Sequence, residues 1–149
     1  MADELSHVDE AGQVRMVDVG PKPQSRRRAV ARAIVRMAPE TAERLRNLPK
    51  GDALVTAELA GVMAAKRTSD LIPLCHQLPL SVVRVSAELG QGSVEITAEA
   101  ETVAQTGVEM EALVAASVAA LTVYDMAKAI DKQMVVEDVR LLEKTKGPA

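Results

Sequence analysis

At 149 residues, with a formal net charge of −3 and 48% hydrophobic residues, the chain is sized for one domain with a substantial core. A single tyrosine, Tyr124, with no Phe or Trp excludes an aromatic platform for stacking nucleic-acid bases, and the acidic balance supplies no global attraction to nucleic acid or an acidic membrane. One cysteine, Cys75, excludes an internal disulfide, and with only His7 and His76 beside it there is no Cys/His set for zinc or an iron–sulfur cluster.

The N-terminus is acidic and polar and no run reaches transmembrane length, so a cytoplasmic location without membrane association is expected. Residues 1–24 carry two glycines, two prolines and no sustained period, which reads as a flexible arm that orders only against a partner or ligand. Residues 25–149 read as a single α+β domain. From Arg26 to Met37 the arginines 28, 32 and 36 share a helical face, but Arg27, Ala29, Ala31, Ala33, Val35 and Met37 also alternate against them with a period of two, and a strand is expected.

Pro39 opens a short helix to about Leu48, which Pro49 closes. Gly51 frees a turn, and Asp52 caps a second helix from Ala53 to about Ser69, leaving Lys50 beside its start. Pro73 ends helical structure near Ile72, so Leu74-Cys75-His76 is expected to be extended. Ser81–Leu89 and Ser93–Val103 alternate around Gly90-Gln91-Gly92 as a hairpin. An alanine-rich helix follows over Glu109–Ile130, and a last strand over Met134–Lys144. The order βαββαβ predicts a ferredoxin-like antiparallel sheet with helices on one face.

Chemistry concentrates in three places. Lys66, Arg67, Cys75 and His76 surround a helix end, and imidazole titrates near neutral pH, which suits proton transfer; a half-buried histidine satisfied by backbone is the plainer alternative. Glu109 and Glu111 lie in the first turn of the long helix, where carboxylates are ordinary. Asp125 and Lys128, three apart, share a face and form at least an ion pair. Fourteen residues separate Glu111 from Asp125, about 21 Å along a helix, so one small ligand cannot reach both on one chain. If both serve, each site is completed by a second copy across a two-fold axis. Neither a phosphate loop nor a dinucleotide fingerprint is present, so any polyanion must be held by side chains such as Lys50, Lys66, Lys128 and Lys144 and by helix ends.

Five segments together are specific enough to name a family. Met16-Val17-Asp18-Val19, Lys50-Gly51-Asp52, Ala64-Ala65-Lys66-Arg67-Thr68 leading into Leu71-Ile72-Pro73-Leu74-Cys75-His76, Thr106 to Leu113, and Ala119 to Ala129 resemble the cyclic pyranopterin monophosphate synthases, the C proteins of molybdenum cofactor biosynthesis, over about Leu5 to Lys144. The resemblance implies a ferredoxin-like subunit in a homohexamer, a trimer of dimers with active sites at dimer interfaces. It also implies a lyase that converts 3′,8-cyclo-7,8-dihydroguanosine triphosphate to cyclic pyranopterin monophosphate and pyrophosphate. No cofactor is implied, no protein metal site is expected, and Mg²⁺ would enter only with the substrate phosphates.

Carried onto this chain, the resemblance makes Asp125 the catalytic residue with Lys50 and Lys128 as proton-transfer partners. Leu74, Cys75, His76, Met110 and Glu111 correspond to substrate-binding positions, Arg27, Lys66 and Lys144 to cations around the phosphates, and Glu109 to a further polar position. A lysine crowded by other cations loses proton affinity and would serve as a base. The chain departs from the family's pattern at Gln77, where proline is common, and in its tail from Thr145 to Ala149. Two other readings stay open on the residues themselves: a phosphotransferase using His76, and a regulatory ligand-binding module without turnover.

Overall fold

A computed structural model describes residues 8–149; the first seven residues of the expected arm, His7 among them, lie outside the described residues. Period-two patterning prevails at the ambiguous segment, which forms strand β1 (Ser25–Arg36). There follow α1 (Pro39–Arg44), α2 (Ala53–Lys66), α3 (Thr68–Leu71), β2 (Leu80–Gly90), β3 (Ser93–Ala104), α4 (Glu109–Ala127) and β4 (Val135–Pro148). The four strands make one antiparallel sheet in the order β2-β3-β1-β4, the ferredoxin-like arrangement expected from the element order.

Alternation in β1 sets the two faces of the sheet. Ala29, Ala31, Ala33 and Val35 are buried with Val94, Ile96, Ala98 and Ala100 of β3. Arg28, Arg32 and Arg36 project from the other face and pair with carboxylates of the flanking strands, Arg28 with Glu99 at 2.9 Å and Glu143 at 2.6 Å, Arg32 with Asp138 and Arg36 with Glu137. Such exposed pairs contribute little each, but they keep that face polar and fix neighbouring strands in register. A bulge in β4 puts Asp138 at φ 56°, which turns its carboxylate toward both Arg32 and Arg140.

Helices α2 and α4 cover the buried face. Their contact is lined by small residues, Ala57, Gly61, Ala64 and Ala65 against Ala112, Ala115, Ala116, Ala119 and Ala120. Without large aromatics the core gains its density from close approach, and a Cβ at Gly61 would sit 3.0 Å from the Ala115 carbonyl oxygen and from both Val85 methyls. Although α4 is long and apolar enough to cross a membrane, its buried residues face α2 and the sheet, as in the core helix of a globular domain.

Four boundaries differ from expectation. Helix α1 ends at Arg44 rather than near Leu48, because the Leu45 carbonyl accepts the Ala53 amide and Leu48 and Gly51 close a turn around Pro49-Lys50. The backbone leaves α2 at Arg67 before the short α3. Helix α4 stops at Ala127 rather than Ile130. Strand β4 continues to Pro148, so the divergent tail pairs with the start of β1, Lys146 opposite Arg27.

Candidate active site

One cluster forms at the C-terminal end of α4. Asp52 caps α2 by accepting the Leu54 and Val55 amides, and Gly51, at φ 116°, lets the preceding turn bring Lys50 alongside α4. Lys50 Nζ lies 3.5 Å from one Asp125 oxygen, and Lys128 Nζ donates to the other at 2.8 Å. The Lys128 hydrogen bond and the positive fields of Lys128 and Lys50 hold the Asp125 carboxyl below its usual range. The same bond raises the Lys128 ammonium. Cation crowding, expected to weaken a lysine's hold on its proton, is thus reversed at Lys128 by the carboxylate between the two ammonium groups.

A second cluster lies at the other end of α4, in a pocket of about 280 Å³ whose walls include Leu74, Cys75, His76, Glu109, Met110 and Glu111. Leu74 is in a turn closed by the Cys75 amide on the Ile72 carbonyl, not extended as expected; Cys75 and His76 then run outside regular structure into the pocket wall. His76 Nε2 donates to the Val17 carbonyl at 2.7 Å, so the segment before β1 is strapped over the pocket. That bond commits one ring nitrogen to backbone, which weakens the reading of His76 as a phosphoryl carrier.

Glu109 and Glu111 sit two residues apart in opposite environments. Burial works to raise Glu109, but hydrogen bonds from Lys144 at 2.6 Å and from its own amide, with the fields of Lys144 and Arg27, outweigh it and hold the carboxyl low. Glu111 is only 4% exposed. Burial raises its carboxyl, its own amide offsets part of the effect, and the charge of Glu109 adds to it. Burial, then the charges of Glu111 and Glu109, also raise Cys75, which keeps it a thiol rather than a nucleophilic thiolate.

The raised Glu111 makes a testable statement about stability. In the unfolded chain its carboxyl ionises at the ordinary value, so as pH climbs from there to the raised value the native state retains a proton that the unfolded state has lost, and stability falls. Glu111→Gln lacks that cost. Thermal melting should show the variant a few degrees above the parent at about pH 8 and level with it at about pH 3.5; equal melting at both would show that the buried charge costs nothing.

Of the residues expected from the sequence, the structure gathers Lys50, Asp125 and Lys128 at one end of α4. It gathers Leu74, Cys75, His76, Glu109, Met110 and Glu111 at the other, with Lys144 and Arg27 bordering Glu109. Lys66 stands apart, in a neighbouring groove that shares only Leu78 with the pocket. Sequence reasoning missed Lys22, which lines the pocket from the segment before β1. The sequence signals only a turn there, Lys22 standing between Pro21 and Pro23; in the structure its amide donates to the Val19 carbonyl in that turn. Among the described residues no group of three or more His, Cys, Asp or Glu side chains is arranged to hold a metal ion.

Comparison with known proteins bears on the family of the chain. A cyclic pyranopterin monophosphate synthase of Roseiflexus sp. (strain RS-1) is 57% identical over 148 residues, 97% of this chain and 94% of that protein. Proteins of the same name from Heliobacterium modesticaldum, 57% identical over 97% of this chain and 94% of their own length, and from Streptomyces coelicolor, 56% identical over 97% and 86%, match as fully. The model of the MoaC family matches residues 16–147, which takes in both ends of α4 and every residue gathered there, and the chain belongs to the MoaC family.

Proposed function

We propose that this chain is a lyase of molybdenum cofactor biosynthesis that converts 3′,8-cyclo-7,8-dihydroguanosine triphosphate to cyclic pyranopterin monophosphate with release of pyrophosphate. One observation carries the reading: an acid–base cluster and a carboxylate- and imidazole-lined pocket stand at opposite ends of one helix, 14 residues or about 21 Å apart between Asp125 and Glu111. Each is half of a site, and a two-fold pairing of chains is the simplest way to join the Asp125 end of one to the pocket of another.

Within that joined site the roles follow from the charge states. Asp125, held ionised between two ammonium groups, accepts or orients protons; Lys128, whose ammonium it stabilises, donates them, with Lys50 as the second ammonium of the relay. Glu111, Met110, Cys75, His76 and Leu74 hold the base-derived ring system, and Lys22, Arg27 and Lys144 compensate the triphosphate, with Lys66, in the neighbouring groove, outside this set. Opening the imidazole ring and closing the pterin are proton-transfer steps, so the reaction requires no redox cofactor, and Mg²⁺ would come with the phosphates.

A homohexamer built as a trimer of dimers, located in the cytoplasm, completes the proposal. Its support is the outer face of α2, where Val55, Leu59 and Met63 recur at four-residue intervals and are 50%, 62% and 58% exposed, an apolar stripe suited to burial against another chain. The arm before β1 closes the pocket through Val17, Val19 and Lys22. Supplying purified protein with the cyclised nucleotide should yield pterin and pyrophosphate in equal amounts; binding without turnover would replace the enzyme by a ligand-sensing module.

A further inference from the structure

We propose that the Glu109 carboxylate is an internal stand-in for a phosphate of the ligand, holding the cation-rich seat at the head of α4 until a polyphosphate displaces it. The inference rests on the reading of the Lys22, Arg27 and Lys144 side of this pocket as the seat of the substrate phosphates.

The seat has the chemistry of an anion site, and a side chain of the protein fills it. Helix α4 begins without a side-chain cap at Val108, so its first amides lack the usual acceptor. Glu109 supplies one by folding its carboxylate back to its own amide, and Lys144 Nζ donates to Oε1 at 2.6 Å. Arg27 adds its field from β1, and Lys22 and His76 line the same pocket. The carboxylate lies so close to Gly107 that a Cβ at that position would collide with both of its oxygens. With Glu109 in place the positive charge of Lys144 is already answered; with Glu109 swung out, Lys144, Arg27, Lys22 and the helix start face the pocket together.

Nothing seals Glu109 in its position. Its side chain is 26% exposed and that of Lys144 58%, unlike buried Glu111, which forms no ion pair among the described residues. A polyphosphate brings several charges and competes for the seat, whereas orthophosphate brings fewer and competes poorly. The same carboxylate returns as pyrophosphate leaves, which favours release. Glu109 is therefore a specificity-determining group that selects polyphosphate and loosens its hold on the leaving group.

Calorimetric titration of the intact assembled protein with inorganic pyrophosphate tests this without requiring turnover. Glu109→Gln should bind pyrophosphate on the order of tenfold more tightly than the parent, and Glu109→Ala should move in the same direction. In a Lys144→Gln background the gain from Glu109→Gln should shrink, because the cation that both anions share is gone. Unchanged or weaker pyrophosphate binding by both Glu109 variants would overturn the proposal and make Glu109 an ordinary substrate contact. Turnover of the cyclised nucleotide by the parent, measured in parallel, separates the two ideas: turnover without tighter binding sinks the stand-in alone, and tighter binding without turnover sinks the assigned reaction alone.

Discussion

The Asp125→Ala chain should form no detectable pterin from the cyclised nucleotide, a loss of about a thousandfold or more, while its melting temperature stays close to that of the parent. The activity loss follows from the geometry: Asp125 links the ammonium groups of Lys50 and Lys128, and general acid–base steps contribute about 10²–10⁴-fold each. The retained stability follows from position. Asp125 is exposed and lies in the last turn of α4, where a carboxylate opposes the helix dipole, and its ion pairs with Lys128 and Lys50 are screened by solvent, so the two small effects offset each other. An exposed carboxylate of this kind adds little to stability, so its removal is read out in chemistry rather than in folding. Asp125→Asn, which preserves shape, should be equally inactive. Full turnover by either variant would remove the carboxylate from the mechanism, and a collapse of the melting temperature would make its role structural.

Mixing two inactive chains should restore activity. If Asp125 of one chain and Glu111 of another serve the same site, co-expressing Asp125→Ala with Glu111→Ala yields mixed pairs in which one site carries both lesions and the other carries none. Random pairing makes half of the pairs mixed, so about a quarter of all sites are intact, and turnover should recover to about a quarter of the parent's per chain. Each variant expressed alone stays inactive. A co-expressed sample that stays inactive despite containing mixed assemblies, verified with two affinity tags, would mean that each chain builds its site alone, against the separation of the clusters along α4. The quantitative fraction matters because trace contamination by parental enzyme would not scale with the mixing ratio.

The elements that could be read in advance are those whose signal is local. The β2–β3 hairpin was written in two alternating runs and a glycine-bounded turn, and the start of α2 in Asp52, whose side chain caps the helix. The elements misread are those where a distant partner competes with local preference. Residues 45–48 have no helix breaker, yet α1 ends before them because the Leu45 carbonyl is claimed by Ala53 and because Leu45 itself is fully buried. Strand β4 runs beyond Lys144 because β1 offers partners as far as Ser25. Lys22 escaped notice because nothing in Pro-Lys-Pro says which surface the cation will meet.

Much of the site, too, was legible as two incomplete groups. Helical rise alone places Glu111 and Asp125 too far apart for one ligand, since it depends only on counting residues within a single element. The buried face of the sheet, the exposed arginine ladder and the small-residue face of α4 are likewise properties of spacing, and spacing is written in the chain.

Tertiary structure alone decided which charges meet. Lys50 reaches Asp125 across 75 residues, and Lys144 reaches Glu109 only because β4 is carried past the head of α4 by its register on β1. It also divided the roles of two glutamates that are nearly equivalent in sequence, pairing Glu109 with cations and burying Glu111. The reason is physical: periodicity and capping act within a turn or two of the backbone, whereas the charge state of a carboxyl depends on desolvation and on neighbours that only the folded chain brings within a few ångströms.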